Sequence, residues 1–287
     1  MVIRYNKNKK NNGVTLINYS NEHYTNAQKI NTNTALKIGG FKKVISYSEK
    51  DIDSVFWNKN KKILQQIRGG GYWLWKPYII KKALAEIDDG EYLFYCDSGS
   101  RFIEPFEKMI YSFDIKLDII VFELQAIEKR YTKKDCLLLM DCDESNMAES
   151  KQRQATFSLW KKTDFSMKFL EEWLFFAKDE RILTNIENEL GFGNDENFVE
   201  HRHDQSIFSL MTKKYNLKAY RDPSQFGNNF KDLYPDSKYP QILVSTRQKN
   251  ISFIEKIKKI IRPYLNPKLR TLYLKYLKNI FNLKLKF

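Results

Sequence analysis

Two rhythms of apolar and polar positions run along the chain. Short apolar runs recur at Val14–Ser20 (VTLINYS), Lys43–Tyr47 (KVISY), Glu91–Cys96 (EYLFYC), Asp118–Leu124, Ala155–Trp160 and Leu217–Tyr220. Each has the length of a strand, and continuous apolar runs suit strands buried on both faces. Between them lie stretches with helical spacing. A polar-faced helix follows Ser20 and stops near Gly39–Gly40, a common helix terminator. Asp51–Ile67 places Ile52, Val55, Phe56, Ile63, Leu64 and Ile67 on one side. Further helices are predicted at Tyr78–Ile87, with Pro77 at its first position, at Phe165–Ala177 and at Asp204–Tyr215. Strands alternating with helices predict an α/β fold, a sheet covered on both faces.

The chain has 287 residues, enough for one α/β domain with a smaller appendage. The expected body is 1–250, with a nucleotide-binding part over 13–150 and an acceptor-binding part over 151–250. The formal charge is +14, which points to an anionic partner. Ile251–Phe287 holds ten Lys or Arg against one acid, so +9 of the total lies in this tail. Within it Leu269, Leu272, Tyr273, Tyr276, Leu277, Ile280 and Phe281 form an apolar helical face. A basic amphipathic helix fits an acidic bilayer surface better than nucleic acid, because the basic excess is not spread over the body. Cys96, Cys136 and Cys142 are an odd set without metal-ligand spacing, as expected of reduced cysteines. No apolar run reaches the roughly 18 residues of a spanning helix, and the polar N-terminus lacks a signal-peptide core. The expected location is cytoplasmic, peripheral at the inner face of the membrane.

Three polar knots carry candidate chemistry. YCDSGS ends an apolar strand in Asp97, Ser98 and Gly99, where open α/β sheets bind ligands. A carboxylate there suits Mg²⁺ or Mn²⁺ shared with phosphates, and Asp222, after the strand at Leu217–Tyr220, is a candidate second ligand. RGGGYWLWKP joins three glycines, affordable only where φ is positive or backbones approach closely, to Arg68 and Lys76 for phosphate and Tyr72, Trp73 and Trp75 for stacking. HRHDQSIFSLM opens a helix with Asp204 as its expected N-cap, while His201, Arg202, His203 and Gln205 form an additional polar group. Zinc is unsuited, with no Cys or third His at ligand spacing.

Together with EKRYTKKD and RDPSQ, these motifs resemble, in order from about Asn31 to Gln225, a family of bacterial glycosyltransferases from surface-polysaccharide gene clusters. The resemblance implies a GT-A-like fold with a mixed sheet and a nucleotide-sugar donor, a UDP-sugar foremost. It further implies a glycan or lipid-linked acceptor and a divalent metal. With the residue chemistry above, the candidate donor-binding residues are Arg68, Tyr72, Trp73, Lys76, Asp97, Ser98, Gly99, Lys133 and Asp135, the candidate metal ligands Asp97 and Asp222, and the candidate catalytic residues His203, Asp204 and Gln205. The Asp-X-Asp of the best-known GT-A enzymes reads Tyr95, Cys96, Asp97 here, so the first acid is absent. Asp204-Gln205 resembles the Asp-Gln of some retaining transferases; if the chemistry inverts, Glu123, Asp135 and Asp204 are the candidate bases. The competing classes are a polyanion-binding protein without catalysis and a phospho- or nucleotidyltransferase.

Overall fold

The computed structural model describes residues 13–113 and 117–246. The basic tail at 251–287 lies outside the described residues.

A six-stranded mixed sheet forms the centre. Its strands are β1 (Thr15–Tyr19), β2 (Lys43–Tyr47), β3 (Tyr92–Cys96), β5 (Ile119–Ile127), β6 (Lys151–Lys161) and β7 (Ala219–Arg221), in the order β2-β1-β3-β6-β5-β7. β1 runs parallel to β2 and β3, and β7 runs parallel to β5. β6 lies antiparallel between β3 and β5. The predicted α/β class therefore holds, with a mixed sheet. Residues before and after position 150 share this sheet, because β6 is inserted between β3 and β5. A second, two-stranded sheet pairs β4 (Ser100–Phe102) with β8 (Leu243–Ser245).

The period-two pleat explains why the strands read as apolar throughout. On β3, Leu93 and Tyr95 enter one core, while Phe94 and Cys96 enter the other. On β5, Ile119 and Val121 face the first core, and Ile120 and Phe122 the second. The larger core is closed by the helices α2 (Trp75–Ala85), α3 (Asp164–Ala177) and α4 (Asp204–Lys214), and α1 (Thr25–Thr34) lies against β4 and β1. In α3, Phe169, Leu170 and Trp173 recur at three- and four-residue spacing and are fully buried against Trp160 and Phe208. Burying each such side chain contributes about 1.5–3 kcal/mol.

Four local expectations change. The predicted helix over 51–67 is broken into Ser54–Lys59 and Lys61–Leu64, with Asn60 at the junction in a non-helical conformation. α2 begins at Trp75, two residues earlier than predicted; Pro77 stays in its first turn, where a missing N–H costs no helical bond. β2, expected to be buried, is exposed or half-buried from Lys43 to Ser46 and buried only at Tyr47, because it is an edge strand with β1 alone beside it. Asp204 is the first residue of α4 and not its N-cap; that place belongs to His203.

Candidate active site

The site forms where β1 and β3 end and the first turns of α2 and α4 meet. Lys76, second residue of α2, is buried. Its ammonium lies 2.6 Å from Asp204 Oδ2 and 3.4 Å from Asp97 Oδ1, and donates to the Ala155 carbonyl of β6 at 3.2 Å. Burial alone would depress the lysine, but Asp204 and then Asp97 outweigh it and hold Lys76 above its ordinary value. Asp204 is also buried, and desolvation raises its carboxyl to about 6 against the opposing pull of Lys76. Asp97 keeps 32% of its side chain exposed, so it is the solvent-facing acid of the pair. Tyr95 donates its hydroxyl to Asp97 Oδ1; burial and that carboxylate push the phenol well above its usual range.

The glycine-rich loop is a run of left-handed backbone. Gly69, Gly70, Gly71, Tyr72 and Trp73 all have positive φ, between 52° and 92°. A Cβ on Gly69 would lie 2.4 Å from the Trp73 ring, and one on Gly71 would lie 2.6 Å from the Leu64 Cα. Both reasons anticipated for the glycines, handedness and close approach, therefore apply. Tyr72 and Trp73 carry the conformation at about 1–2 kcal/mol each. The loop is fastened at its far end, where Trp75 stacks on Tyr19 at 3.7 Å and donates its indole N–H to the Gly69 carbonyl at 2.9 Å. Trp75 is thus an anchor.

His203 holds the loop to α4. Arg68 Nε donates to His203 Nε2 at 2.8 Å; since a guanidinium only donates, Nδ1 carries the imidazole proton and donates to the Leu183 carbonyl at 2.8 Å. Burial, with the charges of Arg68 and Lys133, lowers His203 to about 4. Trp73 stacks on the imidazole at 5.6 Å, and Tyr72 meets it edge-on at 4.8 Å. His203 itself has φ 55° and ψ −121°, a strained backbone immediately before Asp204. Arg68 remains 47% exposed at the rim, with Glu200 at 4.0 Å.

The other expected site residues divide. Ser98 donates to the Tyr19 carbonyl at 2.5 Å, tying β3's exit to β1, and the Gly99 carbonyl accepts from Thr246. Gln205 sits beside Asp204, its amide donating to Gln152 at 2.8 Å. Lys133 and Asp135 face a different segment: Lys133 Nζ donates to the Ile186 carbonyl at 2.9 Å, and Asp135 accepts from the Glu189 amide at 2.6 Å. Glu123 accepts from the Tyr234 hydroxyl at 2.7 Å. Of the three candidate bases, only Asp204 belongs to the Lys76 cluster.

The metal expectation does not fit this donor set. Asp222 accepts at its Oδ1 from the Ser224 amide at 2.7 Å, and β6 and β5 lie between the strands that Asp97 and Asp222 follow. Asp97 already shares its Oδ1 with Tyr95 and Lys76. Among the described residues no group of three or more His, Cys, Asp or Glu side chains is arranged to hold a metal ion. The paired ligands Asp97 and Asp222 are replaced by one exposed carboxylate with an ammonium beside it.

One buried group escaped the sequence reading. Glu128 is fully buried and receives Thr132, Gln152, Ser209 and Lys213. The available signal was the polar stripe Ser206, Ser209, Lys213 at helical spacing on an otherwise apolar helix.

No family model matches the chain, and no curated protein matches its sequence. Among solved structures, the apo form of mouse xyloside xylosyltransferase 1 is similar at 8% identity and a TM-score of 0.48, over 82% of this chain and 97% of that one. The apo form of the glycosyltransferase GlyE of Streptococcus pneumoniae is similar at 11% identity and 0.43, over 82% and 55% respectively. For the apo bifunctional glycosyltransferase WbbM the values are 9% and 0.47, over 84% and 47%. The chain spans about half the length of the last two.

Proposed function

We propose that this protein is a GT-A-type glycosyltransferase that moves a sugar from a nucleoside diphosphate sugar, a UDP-sugar foremost, to a glycan or lipid-linked acceptor of surface-polysaccharide synthesis. The observation that carries the reading is the position of Lys76. It joins the WKP, YCDSGS and HRHDQ motifs, which are far apart in sequence, at the carboxyl ends of parallel strands.

The chemistry follows from the residues. Asp97 accepts hydrogen bonds from donor hydroxyls at the solvent-facing side of the cluster, and Asp204 holds hydroxyls of the transferred sugar. Arg68, half-exposed beside His203, meets the charge that develops on the diphosphate. Gln205 places a neutral polar group near the anomeric carbon, where it supports an oxocarbenium-like centre without competing as a strong nucleophile. The ion pair of Lys76 sets the two carboxylates before the donor arrives, so little reorganisation remains for the reaction.

Among the described residues no helix is long and apolar enough to cross a membrane. The basic tail at 251–287 is the part proposed to meet an acidic membrane surface, which would place the enzyme at the inner face of the cytoplasmic membrane. Its deletion is expected to abolish binding to acidic liposomes while transfer to a soluble acceptor persists.

The direct test is release of nucleoside diphosphate from a panel of nucleotide sugars by the purified protein. Asp97→Ala and Asp204→Ala are each expected to remove activity. Wild-type turnover by both variants would refute the site. Transfer of a phosphoryl or nucleotidyl group, seen by product analysis, would refute the reaction class.

A further inference from the structure

The buried Glu128 network points into the candidate active site, and its hydrogen-bond polarity can be followed atom by atom. Glu128 and Gln152 have no measurable exposure. Glu128 Oε2 accepts from Lys213 Nζ at 2.5 Å and from Ser209 Oγ at 2.5 Å, and its Oε1 accepts from Thr132 Oγ1 at 2.5 Å and from Gln152 Nε2 at 3.0 Å. A carboxylate only accepts, so the amide NH₂ of Gln152 must face Glu128. The Gln152 carbonyl oxygen must then face the opposite way. There it accepts from Gln205 Nε2 at 2.8 Å and from Arg202 Nη1 at 3.2 Å. Arg202 can only donate, so the guanidinium enforces the same orientation from the other side. The NH₂ of Gln205 is turned toward Gln152, which leaves its carbonyl oxygen on the far side of the amide.

We infer that Gln152 is a positioning residue that fixes the amide of Gln205 so that its oxygen, and not its nitrogen, is presented to the donor sugar. The inference rests on the proposed role of Gln205. Glu128 is the origin of the polarity, two amides transmit it, and Lys213 donates to the carboxylate from the side away from Gln152. An oxygen at the anomeric centre suits a developing positive charge and accepts a hydroxyl proton; an NH₂ there would oppose both. A buried, partnered network transmits orientation well, because any reversed amide sets an acceptor against an acceptor or a donor against a donor.

Three variants test this. Gln152→Met removes the relay with little change of volume. Gln152→Glu sets two buried carboxylates face to face. The double exchange Glu128→Gln with Gln152→Glu moves the charge by one residue yet keeps every donor opposite an acceptor. Gln152→Met is expected to lower kcat by about tenfold to a hundredfold with an unchanged KM for the donor, as for a misplaced group at a reacting centre. Gln205→Ala should lose a similar factor, and combining it with Gln152→Met should add nothing further. The double exchange should recover kcat to within about threefold of wild type, in contrast to Gln152→Glu alone.

A second readout is independent of turnover. The side-chain NH₂ resonances of Gln205, assigned by their absence in Gln205→Ala, should shift in Gln152→Met and return to near their wild-type positions in the double exchange. Unmoved resonances in Gln152→Met, or additive losses of kcat in the double variant with Gln205→Ala, would overturn the positioning role. If instead the resonances move as expected but Gln205→Ala transfers at the wild-type rate, the proposed function of Gln205 fails and the relay stands.

Discussion

Two buried ion clusters among the described residues are built to opposite ends. Around Glu128 one carboxylate meets one ammonium, and two hydroxyls and an amide occupy its remaining lone pairs. Its charges balance. Around Lys76 one ammonium faces two carboxylates, one of them a third exposed, beside a strained His203 and a left-handed loop. That cluster is left with an excess negative charge and an open side. The balanced cluster is closed on itself; the unbalanced one keeps an acid facing solvent, which suits the proposed donor site. Strain gathers at the second and not at the first, which fits the proposed site.

The sharpest way to break this contrast is to remove the cation of the open cluster. Lys76→Met leaves two carboxylates together, one buried, and is expected to cost about 3–5 kcal/mol in urea unfolding at pH 8 and to abolish transfer. The loss should shrink at pH 5, where Asp204 takes up a proton. Glu128→Gln, which leaves a neutral acceptor for Lys213, is expected to cost only about 1–3 kcal/mol and to retain measurable transfer. Equal losses from the two variants would erase the distinction.

Next in size is the loop. Gly71→Ala meets the Leu64 backbone at φ 92°, and a loss of about 2–3 kcal/mol is expected in thermal or urea unfolding. Gly90→Ala has a similar φ of 80° but nothing within 4 Å, so about 1 kcal/mol should suffice. The difference between the two measures close approach with handedness held nearly constant.

The pH dependence follows from the two groups at the start of α4. Asp204 titrates near 6, and only its ionised form pairs with Lys76; transfer should therefore rise with pH through about 6. That acid limb should vanish from the pH–rate profile of Asp204→Asn. Stability carries two opposing contributions. The folded Asp204 takes its proton at a higher pH than the unfolded chain does, so this group favours folding as pH falls from about 6 toward 4. His203, lowered to about 4, and His201, lowered well below its ordinary value, remain neutral while the unfolded histidines charge, so they disfavour folding below about pH 6.5. His203→Gln should consequently reduce the acid sensitivity of unfolding. The smallest effect is expected from Arg68→Lys, which keeps the charge at an exposed rim but loses the Nε contact to His203. A severalfold rise in donor KM, with stability changed by less than about 1 kcal/mol, would agree.

Much of this was legible in the residues, for identifiable reasons. β3, β5 and α3 declare themselves because their apolar periodicity is imposed by burial, and burial is what stabilises them. The glycine loop announces its backbone through residue type, since three successive glycines carry an entropic cost that only positive φ or close approach repays. The reading failed where competing local interactions decide. Asn60 breaks a helix that apolar spacing alone would continue, and Asp204 turns from the cap position it could have filled toward a lysine 128 positions away. Lys133 and Asp135 have the chemistry of a donor site but are bound to the segment at 186–190. Residue type states what a group can do; only its neighbours select among the options.

By itself, then, the sequence determined an α/β body, the strand ends at which polar residues accumulate, a glycine loop that calls for positive φ or close approach, and the concentration of basic charge in the tail. These are properties of local spacing and composition. The tertiary structure alone decided that Lys76 would join Asp97 to Asp204, that Asp222 would face Ser224, and that Glu128 would reach Gln205 through Gln152. Those outcomes depend on sheet order and on the meeting of two helix ends, where desolvation raises the cost of every unpaired charge and thereby chooses its partner.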